Sequence, residues 1–123
     1  MKKSNYQVGH FAEKIALLSL LCKGYRPIAL NYVTGRGTGA GEVDLIVRRG
    51  RTLVFVEVKK RQHLCISGEA ITKKVRQRIA RAAGNFIAHH PEYVAYNVRF
   101  DAVLFGKGFW PQIHCKSSKK IGD

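Results

Sequence analysis

Gly41-Glu42-Val43-Asp44-Leu45-Ile46-Val47, followed by Arg48-Arg49-Gly50-Arg51 and then Thr52-Leu53-Val54-Phe55-Val56-Glu57-Val58-Lys59, has the form of a β-hairpin. Both arms are rich in β-branched and aromatic residues, and a glycine marks the turn. Each arm nevertheless carries carboxylates, and charge rarely sits inside a strand this hydrophobic without a partner or a task. With Arg49-Gly50 as a two-residue turn, Arg48 faces Arg51, Asp44 stands opposite Phe55, and Glu42 stands opposite Glu57. Side chains alternate along a strand, so Glu42, Asp44, Glu57 and Lys59 fall on one face, and Val43, Leu45, Val47, Val54, Val56 and Val58 on the other. A three-residue turn would slip the register and scatter the acids.

On the N-terminal side of the hairpin, Val8, Phe11, Ile15, Leu18, Leu21 and Cys22 recur at helical spacing over residues 6–23, and Gly24 supplies the stop. Glu13 lies in this helix and on its own reads as a solvated residue. Ile28, Leu30 and Tyr32 then alternate in a short strand, placed at an edge by Pro27. Residues 34–41 hold four glycines together with Arg36. That loop lacks the lysine-serine or lysine-threonine ending of a nucleotide-binding P-loop and opens no helix, so nucleotide binding is rejected.

Beyond the hairpin, residues 61–67, with His63 and Cys65, read as a loop. Ile71, Val75, Ile79, Ala82, Ala83, Phe86 and Ile87 give a helix over 69–89 ended by Pro91, and Lys73, Lys74, Arg76, Arg78 and Arg81 form its basic face. Residues 96–105 read as a strand, and 109–115 as a last strand whose Pro111 marks an edge. The order αβββαββ describes one α/β domain over 1–115, a central mixed sheet flanked by helices, with 116–123 as a disordered basic tail.

The chain has 123 residues, room for a single core. Its 22 lysines and arginines against 8 acids give a net charge of +14, which makes nucleic acid the leading partner class. No lipidation signal favours a membrane surface instead. Cys22, Cys65 and Cys115 are odd in number and widely spaced, which fits reduced thiols in a cytoplasmic protein better than a disulfide framework or zinc knuckle. The basic N-terminus precedes an apolar stretch broken by Glu13 and Lys14, neither a signal peptide nor a membrane span.

Phosphodiester hydrolysis needs an oxygen-liganded cation and a positioned water. Asp44 and Glu57 could supply carboxylates to Mg²⁺ or Mn²⁺, with Glu42 as an accessory acid, and the Lys59 ammonium could orient the water or stabilise transition-state charge. A purely structural ion pair, Glu57 with Lys59 or Asp44 with an arginine, is the competing account. It explains the crowding of acids less well, because carboxylates repel unless a cation lies between them.

At these residues the sequence resembles the YraN family, bacterial proteins regarded as predicted endonucleases similar to archaeal Holliday junction resolvases, within the PD-(D/E)XK superfamily. The similarity covers roughly residues 9–105. Gly9, Glu13, Ala16, Leu20 and Gly24 match the family's first helix, and Asn31 an asparagine after its first strand. Gly41-Glu42-Val43-Asp44-Leu45-Ile46 and Phe55-Val56-Glu57-Val58-Lys59 are the most specific matches, with Arg99-Phe100-Asp101 in the later strand. The resemblance implies a restriction-endonuclease-like three-layer fold, Asp44 and Glu57 as metal-binding acids, Lys59 as the catalytic lysine and Glu13 as the helix acid, which reverses the solvated reading. Two departures stand out: the glycine-rich loop is longer than the usual family spacing, and Val75 occupies a position where members often show lysine.

The expectation is therefore a Mg²⁺- or Mn²⁺-dependent endonuclease acting on DNA, branched DNA included, with Arg36, Lys73, Lys74, Arg76, Arg78 and Arg81 contacting the nucleic acid. A homodimer is compatible with the superfamily but is not indicated by the residues. The alternatives are a non-catalytic nucleic-acid-binding or repair-scaffold protein that keeps the fold, and an RNA-binding protein.

Overall fold

The structure, a computed structural model, describes residues 5–34, 41–59, 73–105 and 111–116, with side chains within 12–34, 41–58 and 73–103. Helix α1 (Asn5–Cys22) leads into β1 (Arg26–Thr34), β2 (Gly41–Arg49) and β3 (Thr52–Lys59). Helix α2 (Lys73–His89), a single 3-10 turn (Pro91–Tyr93), β4 (Asn97–Phe105) and β5 (Pro111–Lys116) complete the order. The 3-10 turn is an addition to the order expected from the sequence. Lys116 belongs to β5 rather than to the tail, and 117–123 lie outside the described residues, as do 61–67, 69–72 and the glycine-rich segment 35–40 with Arg36.

Helix α1 stops where Gly24 adopts φ 91. Gly24 N–H donates to the Leu21 carbonyl (3.1 Å) and Tyr25 N–H to the Leu20 carbonyl (3.0 Å), the paired bonds of a Schellman motif. Tyr25 and Leu20, the two residues whose contact usually accompanies that motif, are buried in one cluster. The chain is thus turned straight from helix into sheet.

Among the described residues the sheet has five strands in the order β1-β2-β3-β4-β5. β3 and β4 are parallel and every other neighbouring pair is antiparallel, so the sheet is mixed. The parallel pair needs a crossover, and α2 is part of it. Pro27 and Pro111 sit in the two edge strands, where a missing N–H is tolerated. One face of the sheet packs Leu45, Val47, Val54, Val56 and Val103 against Ala12, Ala16 and Leu20 of α1. The other packs Val43, Ile46, Leu53, Phe55 and Phe100 against Ile79, Ala82, Ala83 and Phe86 of α2. The described elements therefore form helix, mixed sheet and helix in layers.

Helix α2 approaches β2 closely at Gly41. A Cβ there would stand 2.5 Å from the Ala82 nitrogen and 2.9 Å from its Cα, so only glycine fits. Val75 is half-buried and packs with the α2-side core, which accounts for an apolar residue at that position.

The hairpin turn differs from the expected one. Arg49 pairs with Thr52, Arg48 with Leu53 and Leu45 with Val56, so the two-residue turn is Gly50-Arg51 rather than Arg49-Gly50. Gly50 has φ 61 and Arg51 is not among the positive-φ residues, the pattern of a type II′ turn with glycine in its first central position. Asp44 consequently comes level with Glu57 instead of Phe55, and Glu42 loses its place opposite Glu57.

Candidate functional site

The β2–β3 ladder ends at Leu45–Val56, although both strands continue. Towards Gly41, β2 stays bonded to β1, and towards Lys59, β3 stays bonded to β4. The two central strands therefore part like a fork, with Asp44 and Glu57 as the first residues beyond the last ladder pair.

A change of face accompanies the parting. Val43 packs on the α2 side and Leu45 on the α1 side, although residues two apart share a face in a regular strand. The reversal falls at Asp44. Across the β1–β2 ladder, between the pairs Leu30–Leu45 and Tyr32–Val43, Asn31 has φ 52, a left-handed conformation that asparagine tolerates better than most residues. Neighbouring strands thus kink together at Asn31 and Asp44.

The kink directs the Asp44 carboxylate into the fork, where Oδ2 accepts the Val58 N–H at 2.8 Å. A hydrogen bond to a charged group typically contributes about 1.5–3 kcal/mol, and here it replaces the ladder bond that the parting strands give up. Glu57, one residue earlier in β3, is only 7 % exposed. Strand alternation assigns Glu57 to the α2 side, since Leu53 and Phe55 pack there while Val54 and Val56 pack against α1. Lys59, paired with Leu104 at the end of β3, shares the parity of Glu57; its side chain lies outside the described residues.

Glu13 reaches the same end of the molecule on the opposite layer. From Cys22 back to Glu13 is about 13 Å of helix, and from Arg48 back to Asp44 is about 14 Å of strand, so α1 carries Glu13 level with the fork. Glu13 is half-buried, and its neighbours Ala12 and Ala16 face the sheet. Its burial departs from the solvated reading.

Glu42 is the third acid of the hairpin. It is exposed and lies 4.0 Å from the Arg78 Nη2. A pair at that distance and exposure contributes little.

Asp44 and Glu57 suit a hard cation that keeps several waters. Mg²⁺ is commonly held by one or two carboxylates together with water and substrate phosphate, whereas a protein-only cage needs more donors. Among the described residues no three or more His, Cys, Asp or Glu side chains are grouped to hold a metal.

The basic residues of α2 divide between two flanks. Lys74, Arg78 and Arg81 follow one another at four- and three-residue steps beside Asn85, whose Oδ1 accepts a hydrogen bond from the Tyr32 hydroxyl of β1. Lys73 and Arg76 lie on the other side of the apolar stripe. Lys73, Lys74 and Arg81 are exposed, Arg76 and Arg78 half-buried.

One buried polar group escaped the sequence reading. Asp101 is fully buried and accepts from Arg99 at 2.8 and 2.9 Å, while Arg99 also donates to the Tyr25 hydroxyl. Burial pulls the Arg99 pKa down, but the hydrogen bonds to Asp101 and Tyr25 outweigh it and the net shift is upward. The group ties β4 to the residue before β1, and Asp101 is the β4 partner of Val56, the last ladder residue before the fork. Alternation within Arg99-Phe100-Asp101 was its only local signal.

A layered α/β domain with a carboxylate-bearing fork in a mixed sheet is the class that these features define. A family model described as uncharacterised protein family UPF0102 matches residues 12–105. The chain belongs to that family, the YraN-like group whose motifs its hairpin resembles. A UPF0102 protein of Paramagnetospirillum magneticum is 51% identical over 96 residues, covering 78% of this chain and 74% of the relative. One from Methylorubrum populi is 42% identical over 120 residues, 98% of this chain and 92% of the relative. One from Methylobacterium nodulans is 41% identical over 111 residues, 90% and 83% respectively. No helix among the described residues is long and apolar enough to cross a membrane.

Proposed function

We propose that this protein is a Mg²⁺- or Mn²⁺-dependent endonuclease of the PD-(D/E)XK type that hydrolyses DNA phosphodiester bonds, branched DNA included. The observation that carries the reading is the fork, where a kinked strand aims the Asp44 carboxylate into the opening beside the nearly buried Glu57. Asp44 and Glu57 would hold the cation, which when bound would neutralise phosphoryl charge and lower the pKa of an attacking water. The Val58 N–H fixes one Asp44 oxygen and so orients the other. Lys59, two residues beyond Glu57, is assigned to water orientation or transition-state charge, and Glu13 to the α1 side of the opening. Lys73, Lys74, Arg76, Arg78 and Arg81, with Arg36 of the glycine-rich segment, supply sequence-independent phosphate contacts.

The test is a panel of duplex, single-stranded, flap and four-way DNA incubated with Mg²⁺ or Mn²⁺. Wild-type protein nicks or cuts at least one substrate, and Glu57→Ala and Asp44→Asn lose cleavage while retaining binding. If every substrate stays intact with both metals, the enzyme reading fails. Salt-sensitive binding unaffected by Glu57→Ala would then identify a non-catalytic binder, and competition with structured RNA would say which polymer it prefers.

A further inference from the structure

The end of the sheet opposite the fork carries a second concentration of cations. Lys23 follows α1, Arg26 opens β1, Arg48 and Arg49 close β2, and Arg51 lies in the β2–β3 turn. Arg26 and Arg48 are direct cross-strand partners, a placement in which like charges repel. Arg26, Arg49 and Arg51 are exposed and Arg48 is half-buried, and among the described residues no carboxylate lies within ion-pair distance of any of the four.

These guanidinium groups are held by neutral partners. Arg49 Nη1 donates to the Lys23 carbonyl at 3.3 Å, and its Cζ stands 4.7 Å from the Tyr25 ring centroid. Arg48 Nη1 donates to the Gly50 carbonyl at 3.3 Å. Arg51 Cζ lies 5.2 Å from the Tyr96 ring centroid. Ring faces and carbonyls limit a guanidinium's freedom without neutralising it, so less entropy is lost when an anion is bound. Arginines held in this way suit phosphate oxygens, and with Arg49 beside Tyr25 of the α1-side cluster and Arg51 over Tyr96 of the α2-side one they span the end of the sheet.

The geometry points to a second phosphate-gripping surface at the hairpin turn, built from Arg26, Arg48, Arg49 and Arg51, whose ligand is duplex nucleic acid. Asp44 and Arg49 are five residues apart on β2, about 17 Å, or about five base-pair rises of 3.4 Å. A duplex engaged at the fork would meet the turn roughly half a helical turn away, so the substrate class is duplex that extends beyond the reacting phosphodiester. The inference rests on the nucleic-acid partner of the proposed function and not on cleavage.

Fluorescence anisotropy of a labelled duplex of about two helical turns, titrated in EDTA at several salt concentrations, tests it. Each lost phosphate contact lowers the log–log salt slope by about 0.9, so Arg49→Gln with Arg51→Gln should lower it by about 1.8. That amounts to a roughly 12-fold smaller loss of affinity between about 50 and 200 mM salt than wild type shows. Arg49→Lys with Arg51→Lys, which keeps the charge, should retain most of the slope. If the Gln pair fails to fold, Arg51→Gln alone carries the test at about 0.9, because Arg51 is exposed and lies over the face of the Tyr96 ring at the surface.

A wild-type slope in a folded Gln variant overturns the proposal. So does loss of binding to phosphatidylserine vesicles in that variant with the duplex slope unchanged, which would assign the arginines to a lipid surface. Because the assay contains EDTA, a chain that grips duplex through these arginines yet cuts nothing upholds this inference and sinks the nuclease reading. A chain that cuts DNA but keeps its slope does the reverse.

Discussion

Gly41→Ala probes the close approach of α2 to β2, three residues before Asp44. The new Cβ would meet the Ala82 nitrogen at 2.5 Å, the Ala82 Cα at 2.9 Å and the Thr34 Oγ1 at 2.6 Å. Thr34 Oγ1 cannot simply rotate away, because it accepts the Gly41 N–H at 3.0 Å. The other two atoms are α2 backbone, which yields only if the helix moves, and that would loosen Ile79, Ala82, Ala83 and Phe86 from the sheet. Overpacking costs about 1–3 kcal/mol, and obstruction by backbone puts this case near the upper end, about 3 kcal/mol. In urea unfolding, with a slope of about 2 kcal/mol/M, the midpoint should fall by about 1.5 M at unchanged slope. Since Asp44 is three residues along the same strand, any cleavage activity should fall as well. A loss below about 0.5 kcal/mol would refute the close approach of α2 to β2.

Other perturbations separate the remaining contacts. Gly50→Ala meets no atom within 4 Å but must keep φ 61, so the expected cost is about 1–2 kcal/mol from conformation alone, read in the same urea experiment, with Gly50→Asn costing less. Asp101→Ala leaves Arg99 without its buried carboxylate and should destabilise by about 3–5 kcal/mol, seen as a large drop in melting temperature. Mg²⁺ or Mn²⁺ at about 100 times its Kd should stabilise wild type by about 2.7 kcal/mol in thermal melts, and Asp44→Asn should abolish that gain; equal gains in both would remove Asp44 from the cation site. Glu42→Gln should change stability by less than about 0.5 kcal/mol and leave the metal response intact, because its contact with Arg78 is long and exposed.

The hairpin, both prolines at sheet edges and the apolar face of α2 were legible because each rests on local chemistry: alternation, a missing N–H, helical spacing. The turn was not. Arg48-Arg49-Gly50-Arg51 permits glycine in either central position, and only the backbone angles decide between them. The misassignment shifts pairing by two residues, which preserves parity, so Asp44 and Glu57 remained associated while Glu42 fell away. The change of face at Asp44 was hidden for another reason. Gly41-Glu42-Val43-Asp44-Leu45 alternates cleanly on paper, and the kink depends on Asn31 in a different strand. Likewise the Arg99–Asp101–Tyr25 group joins residues 74 apart, beyond any periodicity. The apolar stripe of α2 divides its cations between two flanks, which the order of charges along the chain does not display.

A sheet that opens at one end also acquires an uneven hydrogen-exchange profile. Amides inside the β2–β3 ladder are shielded by their partners and exchange only when larger parts of the molecule open. Beyond Leu45 and Val56 that shield ends, yet the Val58 amide is held by a side chain instead of a carbonyl. Its protection therefore tracks the position of one carboxylate. A single backbone proton in β3 thus reports whether Asp44 is seated in the fork, in the intact protein and without any substrate.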